Sequence, residues 1–480
     1  MTSPLWTAQE IAKATDGTTT GAWSATGVSI DTRTVKHGDL FVALKGPSFD
    51  GHEFVGAALE KGAAGALVHR ADFNKADHKP VSDNSHTRTV LVKDTFAGLQ
   101  NLGRAARART SAAVVAVTGS VGKTGTKEAL KTALGAQGAT HATEGNLNNH
   151  WGVPLSLSRM PRESKFGVFE LGMNHAGEIA PLAQLVQPHV AVITAVEAVH
   201  LEFFESVDGI ADEKASIMDG LLRGGTAILP RDSASYHRLT AAAEERGVRA
   251  VSFGSHGADA LLVAWSLTPS GTQVAADIGG DRYTYEVGAA GRHWALNSVA
   301  VLAAVHALGA DVHKAAAAFA NLTAPVGRGA HRHVSGPNGA FVVIDESYNA
   351  SPASIRAVAE TVGIMEVGKG RRILVLGDML EMGASAGDLH ADLAPALRAA
   401  RIDLVFTAGP LMERLHDALP REMRGGHGKD SAALSPIVAQ AVRTGDVVAV
   451  KGSHGSRMGV IVQALAALDA SSSSRAVNGH

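Results

Sequence analysis

Short runs of small and β-branched residues recur along the 480-residue chain, separated by stretches in which apolar residues return every three or four positions. The first kind of run reads as a strand buried on both faces and the second as an amphipathic helix, so their alternation predicts an α/β protein built on mostly parallel sheets. Three sets separate. Residues 1–108 form a small N-terminal α/β unit, with strand candidates at 27–30, 39–44, 66–68 and 89–92, a helical pattern over 53–61 and a basic, alanine-rich helix over 99–109. Residues 109–326 form a central unit with apolar runs at 114–117, 167–171, 190–194, 227–229 and 250–253, the pattern of a doubly wound sheet. Residues 260–288 switch to period-two alternation around Gly279-Gly280-Asp281, which predicts an added hairpin. A helix over 293–308 closes this unit, and Pro325-Val-Gly-Arg-Gly329 has the composition of a linker. A third set, 327–470, places strands at 341–345, 372–376, 404–407 and 447–450, a second doubly wound, Rossmann-like sheet, and SSSSRAVNGH over 471–480 reads as a disordered tail.

Composition narrows the class without naming a function. Hydrophobic content is 45% and formal net charge is -2, so no basic excess points to nucleic acid. Cysteine is absent, which excludes disulfides and thiolate metal sites, and the 22 histidines include no HExxH pair. Trp6, Gln9 and Glu10 interrupt any signal-peptide core, and no run of ~18 apolar residues occurs, so a cytoplasmic protein without membrane insertion is expected.

The chemistry starts at AVVAVTGSVGKTGTKEAL, residues 113–130, which reads as strand, phosphate loop, helix. Gly119, Ser120 and Gly122 allow the backbone N–H groups to turn inward, the helix start adds its positive end, Lys123 is placed to reach β- and γ-phosphates, and Thr124 to hold Mg²⁺. Val117 stands where the longer form of the loop has its first glycine, leaving GxxGKT. Glu170 ends the strand at 167–169 and completes a Mg²⁺ shell if that strand neighbours the loop. His200 follows the next strand. Lys214 falls inside the apolar stripe of a helix spanning 206–222. A lysine there either snorkels to solvent or is buried, in which case desolvation favours a neutral amine able to take up CO₂ as a carbamate. Polar loops at 29–33 and 45–52 suit phosphate or sugar contacts, or simply turn the chain.

Taken together, SIDTRTVKHGDLFVALKG, FDGHEF, VTGSVGKTGTKE, GNLNNHWGVPLSL, ELGMNHAGEIA, HLEFFESVDGIADEK, GRHWALNS, IDESYNASPAS, VLGDMLEMG and VKGSHGSRM resemble the Mur ligases, ATP-dependent amide-forming enzymes of peptidoglycan precursor synthesis. SYNASP and GDMLEMG are similar to the branch that adds D-alanyl-D-alanine to UDP-N-acetylmuramoyl-tripeptide through an acyl phosphate, and the DNPR segment of the branch adding the third amino acid is absent. The resemblance implies ATP and two Mg²⁺ ions, with Lys123, His200 and carbamylated Lys214 in the chemistry and Thr124, Glu170, His200 and Lys214 as metal ligands. It implies nucleotide contacts from Asn148, Asn149, Asn297, Arg328, Asp345, Tyr348 and Asn349. Ser29, Thr32, Arg33, Lys45 and Asp50 resemble positions around the uridine diphosphate. The substrates it implies are the UDP-linked tripeptide and D-alanyl-D-alanine, handled by a monomer. Gly125, Ala195, Ser216, Pro230 and Trp294 depart from the pattern and remove polar groups around nucleotide and metal. The sister ligase, a folylpolyglutamate-type ligase and a nucleotide switch without ligation stay open as alternatives.

Overall fold

The computed structural model of the chain describes residues 4–69, 88–199 and 201–477, with side chains to residue 469. Three main sheets follow one another along it. The first has four parallel strands in sequence order, Gly27–Ser29, Asp39–Val42, Gly65–His69 and Thr89–Val92. The helix that leaves it, Thr95–Ala108, starts a turn earlier than its apolar pattern suggests because the Asp94 carboxylate accepts the Ala97 N–H at 2.7 Å and caps it.

The central sheet has nine strands. From one edge the order is Asp281–Val287, Gly271–Ile278, Ala260–Thr268, Arg249–Gly254, Thr226–Pro230, Val190–Ile193, Ala113–Thr118, Phe166–Glu170 and Thr140–Ala142. Along Ala113–Thr118, Val115 and Val117 enter one core while Val114 and Ala116 enter the core on the opposite face. Burial on both faces is why this strand reads as an unbroken apolar run. The hairpin expected over 260–288 is a three-stranded antiparallel meander instead. Its first strand joins the parallel sheet beside Arg249–Gly254, so the segment extends the sheet as well as folding on itself.

The third sheet has six strands, Ala330–Gly336, Gly339–Glu346, Val447–Lys451, Arg372–Gly377, Leu404–Ala408 and Arg424–Gly428, all parallel except the first. Two further expectations change. The helix expected over 206–222 is α-helical only over Val207–Ala215 and tightens to a 3₁₀ turn at Ser216–Gly220, where Gly220 lies against the Ala183 backbone too closely for a side chain. The tail expected to be disordered is helical to Val477, extending the helix that begins at Gly459. Elongating a helix already docked on the sheet adds one hydrogen bond per residue without a new nucleus. Residues 478–480 lie outside the described residues.

Candidate active site

The phosphate loop is tied down by the segment after Val190–Ile193. Ser120 donates its N–H to the Ala195 carbonyl at 2.8 Å, and its hydroxyl accepts the Glu197 N–H at 3.0 Å. Thr194 Oγ1 donates to the Val121 carbonyl at 2.5 Å. A side chain on Gly119 would begin 1.9 Å from that hydroxyl, and Gly122 sits at φ +86°, so both glycines are required by the turn. The helix Lys123–Gly135 opens directly on the loop. Lys123 Nζ folds back to the Gly119 carbonyl at 2.6 Å and the Ser120 carbonyl at 3.4 Å. Desolvation lowers its pKa, opposed by the Glu170 charge and reinforced by the Arg328 charge.

Glu170 reaches this point because its strand pairs with the loop strand, Val117 opposite Glu170. The side chain is 1% exposed. Oε1 accepts from Asn148 Nδ2 at 2.8 Å, whereas Oε2 has no partner among the described residues. A buried carboxylate oxygen left unpaired in the cleft that Thr124 also lines is a fit for a hard cation, and Thr124 and Glu170 are the residues able to hold Mg²⁺ here. Asn149, by contrast, uses its side-chain oxygen to accept the Trp151 and Gly152 N–H groups and starts the next helix, although it still lines the cleft.

Lys214 is buried, 2% exposed. Desolvation, then the Lys123 charge, push its pKa well below the ordinary lysine value, with Glu213 opposing. Burial therefore settles the two readings of the apolar stripe against snorkelling. Glu213 itself accepts the Gly177 N–H and the Ile179 N–H, each at 2.7 Å, and fixes the loop that carries Asn174 and His175 into the cleft. His200 lies outside the described residues. No three His, Asp or Glu side chains form a ready metal cage among the described residues.

The opposite wall belongs to the C-terminal sheet. The Arg328 guanidinium lies 4.1 Å over the Tyr348 ring, whose other neighbour, His454, stacks at 5.8 Å with planes 10° apart. Lys451, 4% exposed, ends its strand beside Glu346 and donates to Glu346 Oε2 at 3.2 Å and to the Asn349 carbonyl at 2.9 Å. Between the walls runs a cleft of about 800 Å³. It gathers Ser120, Gly122, Lys123, Thr124, Asn148, Asn149, Glu170, Asn297, Arg328, Tyr348 and Asn349 from the expected set. Asn297 passes over the loop, its amide 3.2 Å from where a Gly122 side chain would start. Asp345 does not line the cleft: its carboxylate accepts the Gly327 and Ser347 N–H groups at 3.1 Å and shapes the linker. Thr194, Lys451, His454, His175 and Trp294 line the cleft without having been singled out as site residues.

The five N-terminal positions form local turns away from this cleft. Ser29 is buried against the Asp31 backbone, Arg33 is paired with Asp31 and largely exposed, and the Thr32 carbonyl accepts from Lys61 at 2.8 Å. Lys45 pairs with Asp50 at 3.4 Å, and Asp50 caps the turn at His52. The 45–52 loop does reach the central unit: Phe49 meets Trp151 edge-on at 6.4 Å, next to His150 at the end of the cleft.

Comparison with known proteins gives a consistent picture. Residues 24–107 match the catalytic domain of the Mur ligase family, 117–305 the Mur ligase middle domain, and 330–454 the Mur ligase glutamate ligase domain. UDP-N-acetylmuramoyl-tripeptide--D-alanyl-D-alanine ligase of Rickettsia prowazekii is 31% identical, over 91% of this chain and 94% of that protein. Among solved structures, MurF from Acinetobacter baumannii superposes with a TM-score of 0.82 at 29% identity, covering 96% of this chain and 99% of that one. MurF ligase from Thermotoga maritima in complex with ADP gives 0.76 at 27% identity, covering 93% and 98%.

Proposed function

The chain belongs to the Mur ligase family, and from that premise we propose that it is the ATP-dependent ligase joining D-alanyl-D-alanine to the free carboxylate of UDP-N-acetylmuramoyl-tripeptide in peptidoglycan precursor synthesis. The observation that carries the reading is the convergence of the phosphate loop, the half-paired Glu170 carboxylate and the Arg328–Tyr348–His454 stack on one cleft between two sheets.

In this reading the loop N–H groups and the start of Lys123–Gly135 cradle the phosphates. Lys123 exchanges its two carbonyl partners for the β- and γ-phosphates, where its charge offsets what grows in the transition state. Mg²⁺, held by Thr124 and Glu170 with a second ion at His200 and carbamylated Lys214, would screen the repulsion between γ-phosphate and acceptor carboxylate. Lys214 is suited to carbamate formation because desolvation lowers the cost of losing its proton. Asn297 and the Arg328–Tyr348 pair hold the nucleoside end. The γ-phosphoryl group passes to a carboxylate oxygen and ADP departs. The amine of D-alanyl-D-alanine then attacks the carbonyl carbon, the C–O bond to phosphate breaks, and the amine proton is lost to solvent or base. Because water destroys an acyl phosphate, walls from two domains serve to exclude it. The five N-terminal residues, on loops outside the cleft of which the 45–52 loop meets the central unit at Trp151, are assigned to the uridine diphosphate, with the enzyme acting as a cytoplasmic monomer.

The test is a product assay by mass with ATP and the tripeptide or dipeptide precursor, each offered D-alanyl-D-alanine and the third amino acid. The expected product is the pentapeptide precursor, with ADP and phosphate. Ligation of the single amino acid to the dipeptide precursor, or ATP hydrolysis indifferent to any carboxylate, overturns the proposal.

A further inference from the structure

Trp294 stands in the first turn of the helix Arg292–Ala307 and is 3% exposed. Its six-membered ring rests on the phosphate-loop helix where that helix has no side chain. A Cβ on Gly125 would lie 3.0 Å from the ring's Cη2 and 3.2 Å from Cζ3, so the ring fills the place a side chain at 125 would take. The other end of the indole tells a different story: Nε1–H is buried and has no hydrogen-bond partner among the described residues. It faces the C-terminal domain across Gly329, the last linker residue, at φ +103°. The position a Gly329 Cβ would occupy is 3.6 Å from Trp294 Nε1 and 3.2 Å from Glu346 Oε1. Glu346 ends the strand Gly339–Glu346, and the bond from Lys451 engages its other oxygen, Oε2. A donor without an acceptor thus stands near an under-used acceptor of the neighbouring domain, with only a glycine at the hinge between them.

We propose that Trp294 is a positioning residue that couples nucleotide binding to closure of the C-terminal domain, its ring bearing on Gly125 beside the bound phosphates and its indole N–H donating to Glu346 Oε1 when the domain closes. The physical reason is asymmetry in cost. A buried N–H without an acceptor is unfavourable in the arrangement described above and satisfied in the closed one, so the hydrogen bond contributes only after closure. Gly125 and Gly329 are the two positions that leave room for the indole to do both. The inference rests on the reading of the cleft as an ATP site.

Trp294→Phe keeps an aromatic ring and deletes the N–H. Its Kd for Mg·ADP should stay within about twofold of wild type, while kcat for ligation falls about fivefold, the worth of one hydrogen bond made only in the closed state. Small-angle X-ray scattering should show less compaction of the variant than of wild type on addition of a non-hydrolysable Mg·ATP analogue with the tripeptide precursor. A role in packing alone would lower Tm and leave compaction at saturation unchanged. Gly125→Ala, which pushes on the ring and leaves the indole in place, should reproduce the loss of kcat, and it decides the question if Trp294→Phe fails to fold. Wild-type kcat and compaction in either folded variant overturn the proposal, as does weaker ADP binding with kcat retained. Failure of the wild-type protein to bind Mg·ADP at all overturns instead the ATP reading on which it rests.

Discussion

Replacing Lys214 by methionine should make the protein more stable at neutral pH while abolishing ligation. The wild-type residue is 2% exposed and its ammonium sits within the field of a second lysine, Lys123. Its pKa is lowered well below the ordinary lysine value, chiefly by desolvation. Below the folded-state pKa the fold carries the full cost of a buried charge. Between the folded and unfolded values the fold holds a neutral amine while the unfolded chain binds a proton, so the cost shrinks as pH rises and disappears near pH ~10.4. Each unit of depression corresponds to about 1.4 kcal/mol, which converts to about 3–6 °C in Tm for a unit the size of the central domain. Methionine matches the length of the side chain's apolar part and carries no such penalty. Thermal unfolding from pH 6 to 10 in CO₂-depleted buffer should therefore show Lys214→Met above wild type at low pH, with the two curves converging as pH rises. Bicarbonate should close part of the gap by converting wild-type lysine to carbamate, and should leave the variant unmoved. A variant less stable than wild type at pH 6, or a gap that widens with pH, refutes the reasoning.

Two further outcomes follow from the loop and its flank. Lys123→Ala should keep Tm and circular dichroism close to wild type, since only two loop carbonyls lose a partner, and lower kcat by about 10²-fold or more; turnover within tenfold of wild type contradicts its assignment. Gly172→Ala places a methyl 2.8 Å from the Asn148 side chain and should dislodge the amide from Glu170 Oε1, weakening Mg·ADP binding about fivefold by titration calorimetry, whereas unchanged affinity argues that Asn148 does not orient the carboxylate.

The sheets were legible where a strand is buried on both faces and carries its own apolar run, as Ala113–Thr118 and Arg372–Gly377 do. Strands held by their neighbours were not. Arg424–Gly428 reads RGGHG and has no apolar signal; it is a strand because it pairs with Leu404–Ala408, and Gly425 is bare because a Cβ there would meet the Phe406 ring at 2.8 Å. Ala330–Gly336 is an edge strand with one buried side chain, Val334, and Thr140–Ala142 has three residues, too few to show a period. The site divides the same way. Glu170 could be placed from sequence because strand ends gather ligands and its strand neighbours the loop, whereas Thr194, Lys451 and Trp294 act through contacts with residues far along the chain that no local pattern records.

What joins these observations is an excess of cations waiting for anions. Lys123, Arg328 and Lys451 line the cleft from both domains, and Lys214 is buried within the field of Lys123, while the carboxylates near them are largely committed: Glu346 to Lys451, Glu213 to the Gly177 and Ile179 N–H groups, Glu170 half to Asn148. Beyond desolvation, which comes first for both lysines, the Lys123 charge lowers the pKa of Lys214 and the Arg328 charge that of Lys123, so like charges oppose one another along this side of the cleft. A triphosphate and a carboxylate relieve that repulsion where the two domains meet. In the proposed function, binding them and drawing the walls together would be favoured by the same charges, and placing those charges on two separate sheets would let substrate enter before the cleft excludes water.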